Sequence, residues 1–530
     1  LINGHNTARA FGTLAYVTQD EVLTGTLTVY ETVCYTAALR LPRNMPIQVK
    51  KEKANKTITE LGLAKASNTY IGNWHLRGIS GGQRRRVAIA NELITNPRLL
   101  FLDEPTSGLD AASSYHLVRL MNSMAKNNRT IITTIHQPSS EVFEMLDELL
   151  LLSGGRPVYH GASTEAGNYL ATAGLPCPSM RSLPDHFLHL VNNDFAEDDS
   201  CGMESQMISE QIEALVQKYN SEMAPAVREQ MRLLSRPGTV FSGNRSDASP
   251  WTQLLFLTRR TFLSNVRNIG IFWLRVIMYL LLCICMGTVF FDLGKDFRGG
   301  VQGRASLLFF VVAFLTFMAI AGFPAFVEEM QVFIRERLNG YYGVGVFALA
   351  NTLAAAPFVL IISVVATVGL YFLAGFNDDI GRVFYFVVAL FCSLFVVESL
   401  MMAIAAVVPH FLMGIAAGAG VMGMFMIVCG FFKYRDELPD PVWRFPMHYV
   451  SFHTYAFNGL MQNEFQGTEG WCSACVGGPG RCSMTGAEVM RFYQLDNRNK
   501  WIDVAVLAGM CVAYRLVFYV MLKVKEMANH

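Results

Sequence analysis

The chain has 530 residues, of which 52% are hydrophobic and 16% are charged. It is too apolar for an ordinary soluble protein and too charged for a membrane bundle alone, so we expect two unlike parts. The formal net charge is only +1, so the chain lacks the excess of positive charge that binds nucleic acid, and we expect no nucleic-acid partner.

Residues 1 to about 190 alternate short apolar strands with helical patterns, as an α/β domain does. Near the beginning, the segment AYVTQDEVL places Gln19 after a short strand. A glutamine in this position means little alone, and its interpretation depends on the motifs that follow.

The most informative segment runs from Ile79 to Asp110, ISGGQRRRVAIANELITNPRLLFLDEPTSGLD. Its serine stands at the N-cap position of a helix, and two glycines after it let the backbone come close to a ligand. The amide groups that begin this helix then point at an anion such as a γ-phosphate. We expect phosphate binding by Ser80, Gly81, Gly82 and Gln83.

Three arginines, Arg84, Arg85 and Arg86, follow this turn. They fit a solvated helical face and they fit electrostatic steering of a phosphate, and the sequence does not choose between the two.

Farther along the same segment, Leu99 to Leu102 form an apolar run that predicts a buried strand. Asp103 and Glu104 follow directly, at the carboxyl end of a parallel strand, where α/β sheets bind ligands. There Asp103 would hold Mg²⁺ and Glu104 would orient and deprotonate a water molecule. An isolated Asp-Glu pair is an ordinary surface feature, but the turn before it and the Ser-Gly-Leu-Asp turn after it favour a catalytic role.

A second predicted strand, Thr130 to Ile135, ends in His136 and should lie beside the strand before Asp103. His136 would contact the γ-phosphate and link it to Glu104. The phosphate loop G-x-x-x-x-G-K-[ST] that such a site needs does not occur in the 530 residues. Because Ile2-Asn3-Gly4 resembles the end of a strand, we expect the chain to start inside its nucleotide-binding domain, just downstream of that loop.

Residues 191–250 are polar and end in a Gly/Ser/Asn/Pro-rich stretch, which predicts a linker. From residue 251 to 530 we expect a membrane domain, opened by an interfacial helix at Trp251 to Arg267. Six apolar runs then approach the membrane-spanning length of ~20 residues. They lie at about 271–291, 305–326, 346–374, 383–408, 411–432 and 502–522, and the third contains Pro357.

With nucleotide bound on the cytosolic side and six spans, the loop 433–500 lies outside the cell. This places Cys472, Cys475 and Cys482 in oxidising space, and without a fourth ligand nearby we favour disulfides over a zinc site. Their odd number permits one internal bridge and one intermolecular bond.

Two features of the apolar runs are notable. Glu398 lies within the fourth run, where a carboxylate costs ~3 kcal/mol, and we interpret it as a helix-locking polar relay or a substrate contact.

Small residues in the fifth run permit close helix packing, which we place at a dimer axis. They are Gly414, Gly418, Gly420 and Gly423.

In their order, these motifs resemble the Q-loop, signature, Walker B, D-loop and H-switch of the ATP-binding cassette superfamily. A cassette followed by six spans resembles the G subfamily, the white-brown half-transporters, and so do NWHLRGISGG, LPDHFLHLVN and FIRERLNGYYGV. YVTQDEVLTGTLTVYETV and VESLMMAIAAVVPHFLMGI look most like plant members that export cuticular lipids.

The resemblance implies an incomplete P-loop NTPase fold followed by an all-α membrane domain, with ATP and Mg²⁺ as cofactors. Gln19 and Asp103 would contact Mg²⁺, and Glu104 and His136 would serve the chain's own ATP site. The signature, together with Asp110, would serve the site of a second half-transporter. Residues 328–340 would form a cytosolic coupling helix, although their charges also fit a solvated turn.

The expected function is ATP-driven export of hydrophobic membrane lipids by a homo- or heterodimer, at the plasma membrane. The alternative is a non-catalytic partner subunit or a truncated gene product. A homodimer of the 530 residues as printed should not hydrolyse ATP, because neither site would have a phosphate loop.

Overall fold

The computed structural model describes residues 14–73, 76–191, 203–235, 248–268, 272–294, 300–408, 410–472, 482–495 and 499–528. Two compact units emerge. The first comprises Leu1–Ser249 together with Asn339–Tyr341, and the second comprises Pro250–Leu338 and Tyr342–His530. The first is α/β and the second is helical, which agrees with the predicted fold class.

A parallel sheet organises the first unit. Its strands β1 (Leu14–Val17), β2 (Leu99–Leu102) and β3 (Thr130–Thr133) lie in the order β1-β2-β3, with Leu102 level with Val17 and Thr133. The alternately buried strands pack on helices into one apolar core that includes Val17, Val87 and Leu100. These helices are α1 (Val29–Arg40), α2 (Ile47–Glu60), α3 (Gly81–Leu93) and α4 (Ala111–Ala125).

A second, smaller core belongs to the same unit. The antiparallel strands β4 (Glu148–Ser153) and β5 (Arg156–Ala162) contribute Val158, which packs with Phe143 and Phe187. Helices α5 (Ser140–Phe143), α6 (Ala166–Thr172), α7 (Leu183–Val191), α8 (Met203–Lys218) and α9 (Ala224–Leu234) complete this part.

Part of the predicted linker is therefore folded. Ile212, Leu215 and Val216 of α8 are buried in the second core, next to Phe187 of the α/β unit. The sequence indicates an amphipathic segment near Ile212 to Leu234 within these polar residues, and the structure packs its apolar face into the core.

The second unit is built from long helices. They are α10 (Pro250–Arg267), α11 (Leu274–Val289), α12 (Val301–Met318), α13 (Phe323–Leu338), α14 (Val344–Tyr371), α15 (Ile380–Val407), α16 (Phe411–Ile427) and α20 (Lys500–Ala528). Within the described residues, four helical stretches have the length and hydropathy of membrane spans: Val301–Leu338, Val344–Tyr371, Ile380–Val407 and Lys500–Met527. Two shorter apolar helices, α11 and α16, overlap the remaining predicted runs.

One helix boundary differs from the sequence prediction. A short 3₁₀ turn at Ala319–Gly322 joins α12 to α13, so the second apolar run and the charged segment after it form one helical stretch of 38 residues. Pro357 lies inside α14 without interrupting it.

The segment predicted as an outer loop contains a buried helix. Helices α17 (His448–Val450), α18 (Phe452–Phe465) and α19 (Gly486–Phe492) and the strands β6 (Trp471–Cys472) and β7 (Cys482–Met484) all fall within residues 433–500. Every residue of α18 is buried except Tyr455, which is half-buried, and Glu464 pairs with the buried Arg304 of α12. Hydropathy could not predict α18, because many of its buried residues are polar.

Candidate nucleotide-binding site

The parallel sheet brings together the polar residues that follow its first two strands. Gln19 comes two residues after β1, and Glu104 comes two residues after β2. The Gln19 amide donates a hydrogen bond to Oε2 of Glu104 over 2.7 Å. Glu104 has a positive φ of 41°, so the chain turns sharply after β2 and directs this residue away from the strand.

Asp103 is held by two hydroxyl groups. Tyr16 donates to its Oδ2 over 3.1 Å, and Thr134 donates to its Oδ1 over 2.8 Å. Thr134 Oγ also accepts a hydrogen bond of 2.8 Å from the Glu104 amide, so one hydroxyl positions both acidic residues. Partial burial and the bond to Asp103 raise the pKa of Tyr16, which keeps this phenol protonated as a donor.

The start of α3 has the predicted cap. Ser80 accepts a hydrogen bond from the Gln83 amide, and the Gln83 side chain accepts one from the Ser80 amide, which together form a capping box. The side chains of Ser80 and Gln83 therefore stabilise the helix start while its first amides remain directed outward.

The two glycines of this turn are not required by the protein's own packing. A Cβ at Gly81 or Gly82 would meet only ordinary contacts, at 3.9 Å from Leu109 and 3.5 Å from Ser113. At Gly78, by contrast, a Cβ would lie 2.0 Å from the carbonyl oxygen of Ile71, so the fold itself demands glycine there. The bare backbone at Gly81 and Gly82 is available for close approach by a phosphate.

Asp110 ends the turn that follows the second strand. Gly108 has a φ of +71°, and Asp110 caps α4 by accepting a hydrogen bond from the Ser113 amide. Hydrogen bonding by Ser113 lowers the pKa of Asp110, so this exposed side chain is an anion near neutral pH.

His136 lies on the same edge of the sheet. Strand β3 pairs with β2 in the predicted parallel arrangement and ends at Thr133, two residues earlier than expected. His136 is exposed, before Gln137 with its positive φ of 45°. Among the described residues, no hydrogen bond joins it to Glu104, so its proposed role remains a prediction.

Three residues near the site have roles that the motif analysis did not assign. Tyr16 and Thr134 act through Asp103 and Glu104. Arg85 is buried and donates to backbone carbonyl groups, so neither proposed role, a solvated face or phosphate steering, applies to it. One sequence signal was available, since Arg85, Ala88, Ile89 and Glu92 follow the i, i+3, i+4, i+7 pattern of a buried face.

These side chains fit a magnesium-bound nucleotide. Oxygen donors of Gln19 and Asp103 suit a hard divalent cation, since Mg²⁺ prefers carboxylate and amide oxygens with water. The exposed amide groups at the start of α3 suit phosphate oxygens. The chain therefore supplies both the oxygen donors for the cation and the amide groups for phosphate.

Comparison with known proteins agrees with this geometry. The ABC transporter family matches residues 2–107, and ABC-2 type transporter families match residues 252–465 and 136–230. ABC transporter G family member 11 of Arabidopsis thaliana is 44% identical over 99% of this chain and 76% of its own length. The chain belongs to the G family of ABC transporters.

Two further G-family relatives extend the comparison. ABC transporter G family member 1 of Petunia hybrida is 43% identical, covering 100% of this chain and 82% of the relative. The broad substrate specificity ATP-binding cassette transporter ABCG2 of Sus scrofa is 32% identical, over 96% of this chain and 80% of its own length. Members of this family are ATPase-coupled membrane transporters, and the predicted family is confirmed.

The α/β unit of this G-family chain also contains a buried carboxylate away from the nucleotide site. Glu92 of α3 is fully buried and forms an ion pair of 2.7 Å with Arg40. Its Oε1 accepts hydrogen bonds from the Asn339 amide over 3.0 Å and from the Tyr341 hydroxyl over 2.8 Å. Asn339 lies near the end of the segment predicted as a coupling helix, residues 328–340, and Tyr341 directly follows it.

In the helical unit, Glu398 has a partner that the sequence did not identify. Arg275 of α11 donates to its Oε1 over 2.7 Å, and both side chains are nearly buried. Arg515 of α20 contacts the same helix through Ser399 and Met402. Glu398 therefore links helices within the unit, which is what a locking relay requires.

The glycines of α16 divide into two pairs. A Cβ at Gly414 would lie 1.9 Å from the Phe323 ring, and one at Gly418 would lie 2.7 Å from the Met401 sulfur. At Gly420 and Gly423 a Cβ would meet nothing within 4 Å. Packing within the chain thus explains Gly414 and Gly418, and only the second pair remains available for a dimer axis.

Two of the three predicted disulfide cysteines lie on paired strands. Cys472 of β6 and Cys482 of β7 are opposite each other in the antiparallel register. Cys475 lies outside the described residues.

Proposed function

We propose that this chain is one half of an ATP-driven exporter that moves hydrophobic lipids out of the cell, working as a homo- or heterodimer at the plasma membrane. The observation that carries the proposal is the hydrogen bond between Gln19 and Glu104, beside an Asp103 held by two hydroxyl groups. This arrangement has the parts needed to position a cation and to activate water.

Each residue has a separate task in the proposed ATP site. Asp103 and Gln19 would hold Mg²⁺, and Glu104 would accept the proton of the attacking water. His136 would contact the γ-phosphate. Bound Mg²⁺–ATP supplies a phosphoryl group whose negative charge the metal neutralises. Ser80, Gly81, Gly82, Gln83 and Asp110 would complete the site of the second half-transporter.

The decisive experiment measures phosphate release and lipid export by the purified chain in proteoliposomes, alone and with a second G-family half-transporter. ATP-dependent export that stops in Glu104→Gln supports a catalytic exporter. Export that continues in Glu104→Gln but stops when the partner's equivalent acid is removed supports the alternative, a non-catalytic partner subunit. Vesicles that move no lipid in any combination contradict both.

Lipid as the substrate rests on the resemblance to plant exporters and on the apolar helices of the second unit. Lipid profiling of cells that lack the gene tests it directly: a deficit of exported lipids supports the assignment, and an unchanged profile contradicts it. A fluorescent fusion confined to internal membranes would contradict the plasma-membrane location.

Coupling between ATP hydrolysis and transport is proposed to pass through residues 328–340. Two contacts of the α/β unit support this, since Asn339 and Tyr341 both donate to the buried Glu92 of the signature helix. Because Asn339 lies near the end of the proposed coupling segment and Tyr341 directly follows it, a shift of α3 would displace the end of that segment. The bidentate pair of Arg260 with Glu336, at 2.5 and 2.8 Å, anchors that segment to α10.

We also propose a disulfide between Cys472 and Cys482, with Cys475 as the intermolecular thiol. The opposite register of the first two cysteines supports the internal bridge. Peptide mapping without reduction tests it: a Cys472–Cys482 cross-linked peptide is expected, and alkylation of both thiols would contradict the pairing. A dimer band that persists on non-reducing gels after Cys475→Ser would contradict the intermolecular bond.

A further inference from the structure

Arg85 is the most completely enclosed cation in the described part of the α/β unit. Its side chain is 2% exposed, although it belongs to a run of three arginines in the second turn of a helix. Removing a guanidinium from water is costly unless its N–H groups are all matched, so a buried arginine needs a specific set of acceptors.

The acceptors of Arg85 come from two separate segments. One terminal nitrogen donates to the carbonyl oxygens of Thr18 and Gln19, at 2.8 and 2.9 Å. The other donates to the carbonyl oxygen of Glu104 at 2.7 Å, and Nε donates to that of Pro105 at 3.2 Å. Glu21 lies 3.5 Å from Nε and balances the charge.

These acceptors are the backbone of the two segments whose side chains meet in the site. Gln19 and Glu104 are 85 positions apart, and their side chains are joined by one hydrogen bond of 2.7 Å. The guanidinium fixes the backbone of both residues at once, so the distance between them is set by a rigid planar group. A lysine at this position would offer one point of donation and could not span both segments.

The same residue lies on the helix that begins with the signature turn. Ser80 and Gln83 form the cap of α3, and Arg85 follows two residues later in the same helix. If α3 rotates or shifts when its first amides bind a phosphate, Arg85 moves with it. The backbones of Gln19 and Glu104, which are hydrogen-bonded to Arg85, would then move as well.

We propose that Arg85 is a positioning residue for ATP hydrolysis that links the two composite sites of the dimer. It holds Gln19 and Glu104 of one site in register and connects them to the signature turn that serves the other site. This inference rests on the proposed ATPase function.

The test compares Arg85→Lys and Arg85→Gln with Arg84→Gln. The matched control is apt because Arg84 also donates to two carbonyl oxygens, those of Ile71 and Gly72, but these belong to a loop without site residues. All variants are made in the full chain, purified identically, and assayed as dimers both alone and with a second G-family half-transporter.

The first measurement is hydrogen–deuterium exchange, which requires no ATPase activity. In both Arg85 variants we expect the amides of Gln19 to Glu21 and of Glu104 to exchange at least tenfold faster, with α3 unchanged. In Arg84→Gln these amides should exchange as in the parent protein. Unchanged exchange in Arg85→Lys would overturn the inference, whatever the activity.

The second measurement separates positioning from mere stabilisation. We expect Arg85→Lys to lower kcat at least tenfold while KM for ATP changes less than twofold, because phosphate is expected to bind the amides of Gly81 and Gly82, whose helix start is capped by Ser80 and Gln83. Faster exchange with an unchanged kcat would reduce Arg85 to a structural residue and overturn the inference. If the parent dimer itself shows no hydrolysis, the proposed function fails, and the exchange data still decide whether Arg85 joins the two segments.

Discussion

The Gln19 amide donates a hydrogen bond of 2.7 Å to Oε2 of Glu104. This contact orients the carboxylate, whose second oxygen would accept the proton of the attacking water in the proposed mechanism. Because Gln19 follows β1, a shift in the position of Gln19 would also move the carboxylate of Glu104, the proposed general base.

In a dimer that hydrolyses ATP at the site containing Glu104, Glu104→Gln should abolish hydrolysis at that site while ATP binding persists. The amide cannot accept a proton, and general-base catalysis typically contributes about 10² to 10⁴-fold in rate. Phosphate release and equilibrium binding of labelled ATP by the same preparation check both halves of the prediction. Glu60→Gln on the exposed face of α2 is the matched control. Retention of more than a tenth of the parent rate would contradict the role of Glu104.

Thr134→Val should weaken the use of Mg²⁺. The substitution keeps the side-chain volume but removes the hydroxyl that donates to Asp103 and accepts from the Glu104 amide. A net cost of about 1 kcal/mol for lost hydrogen bonding corresponds to a roughly fivefold higher Mg²⁺ requirement. Titration of hydrolysis with Mg²⁺ measures it. Thr133→Val, whose hydroxyl contacts only a backbone oxygen, should titrate like the parent, and a similar shift there would refute the explanation.

The sequence predicted those parts of the site whose residues are adjacent in the chain. Leu99 to Leu102 and the two acids after them are contiguous, so strand, strand end and carboxylates could be read together. Arg85 could not be assigned in this way, because its acceptors, Thr18 and Glu104 among them, come from distant parts of the chain. The helical pattern indicates that Arg85 lies on a buried face, but only the tertiary structure shows which carbonyl groups accept its hydrogen bonds.

The membrane-domain prediction did not anticipate that polar residues are buried within residues 433–500. Helix α18 contains Asn458, Gln462 and Glu464, all buried, and a hydropathy pattern excludes such a segment from the apolar interior. The partner of Glu398 was missed for the same reason. Arg275 lies within the first apolar run, 123 positions earlier, and only tertiary structure pairs the two residues.

Glu398→Gln should destabilise the helical unit strongly. It leaves the guanidinium of Arg275 without its carboxylate, and breaking a buried pair typically costs about 3–5 kcal/mol. Thermal unfolding in detergent should show a lower Tm, and the double variant Arg275→Met with Glu398→Leu should recover most of the loss. Glu437→Gln, on the exposed 3₁₀ turn before the buried helix, should leave Tm unchanged. A double variant no more stable than Glu398→Gln would contradict the pairing.

Tyr341→Phe should uncouple transport from hydrolysis. The substitution removes one hydroxyl that donates to Glu92 over 2.8 Å, while Arg40 still neutralises that carboxylate. The α/β unit should therefore stay folded and its ATPase rate should remain within twofold of the parent. Because the contact joins the signature helix to the end of the proposed coupling segment, lipid moved per ATP hydrolysed should fall several-fold.

The measurement is the ratio of lipid export to phosphate release in proteoliposomes. Tyr115→Phe on α4 is the control, since it removes a phenol hydroxyl from the same unit without touching Glu92. If export and hydrolysis fall together in Tyr341→Phe, the contact serves stability alone. If only their ratio falls, the Glu92 contact transmits the state of α3 to residues 328–340, as the proposed coupling role requires.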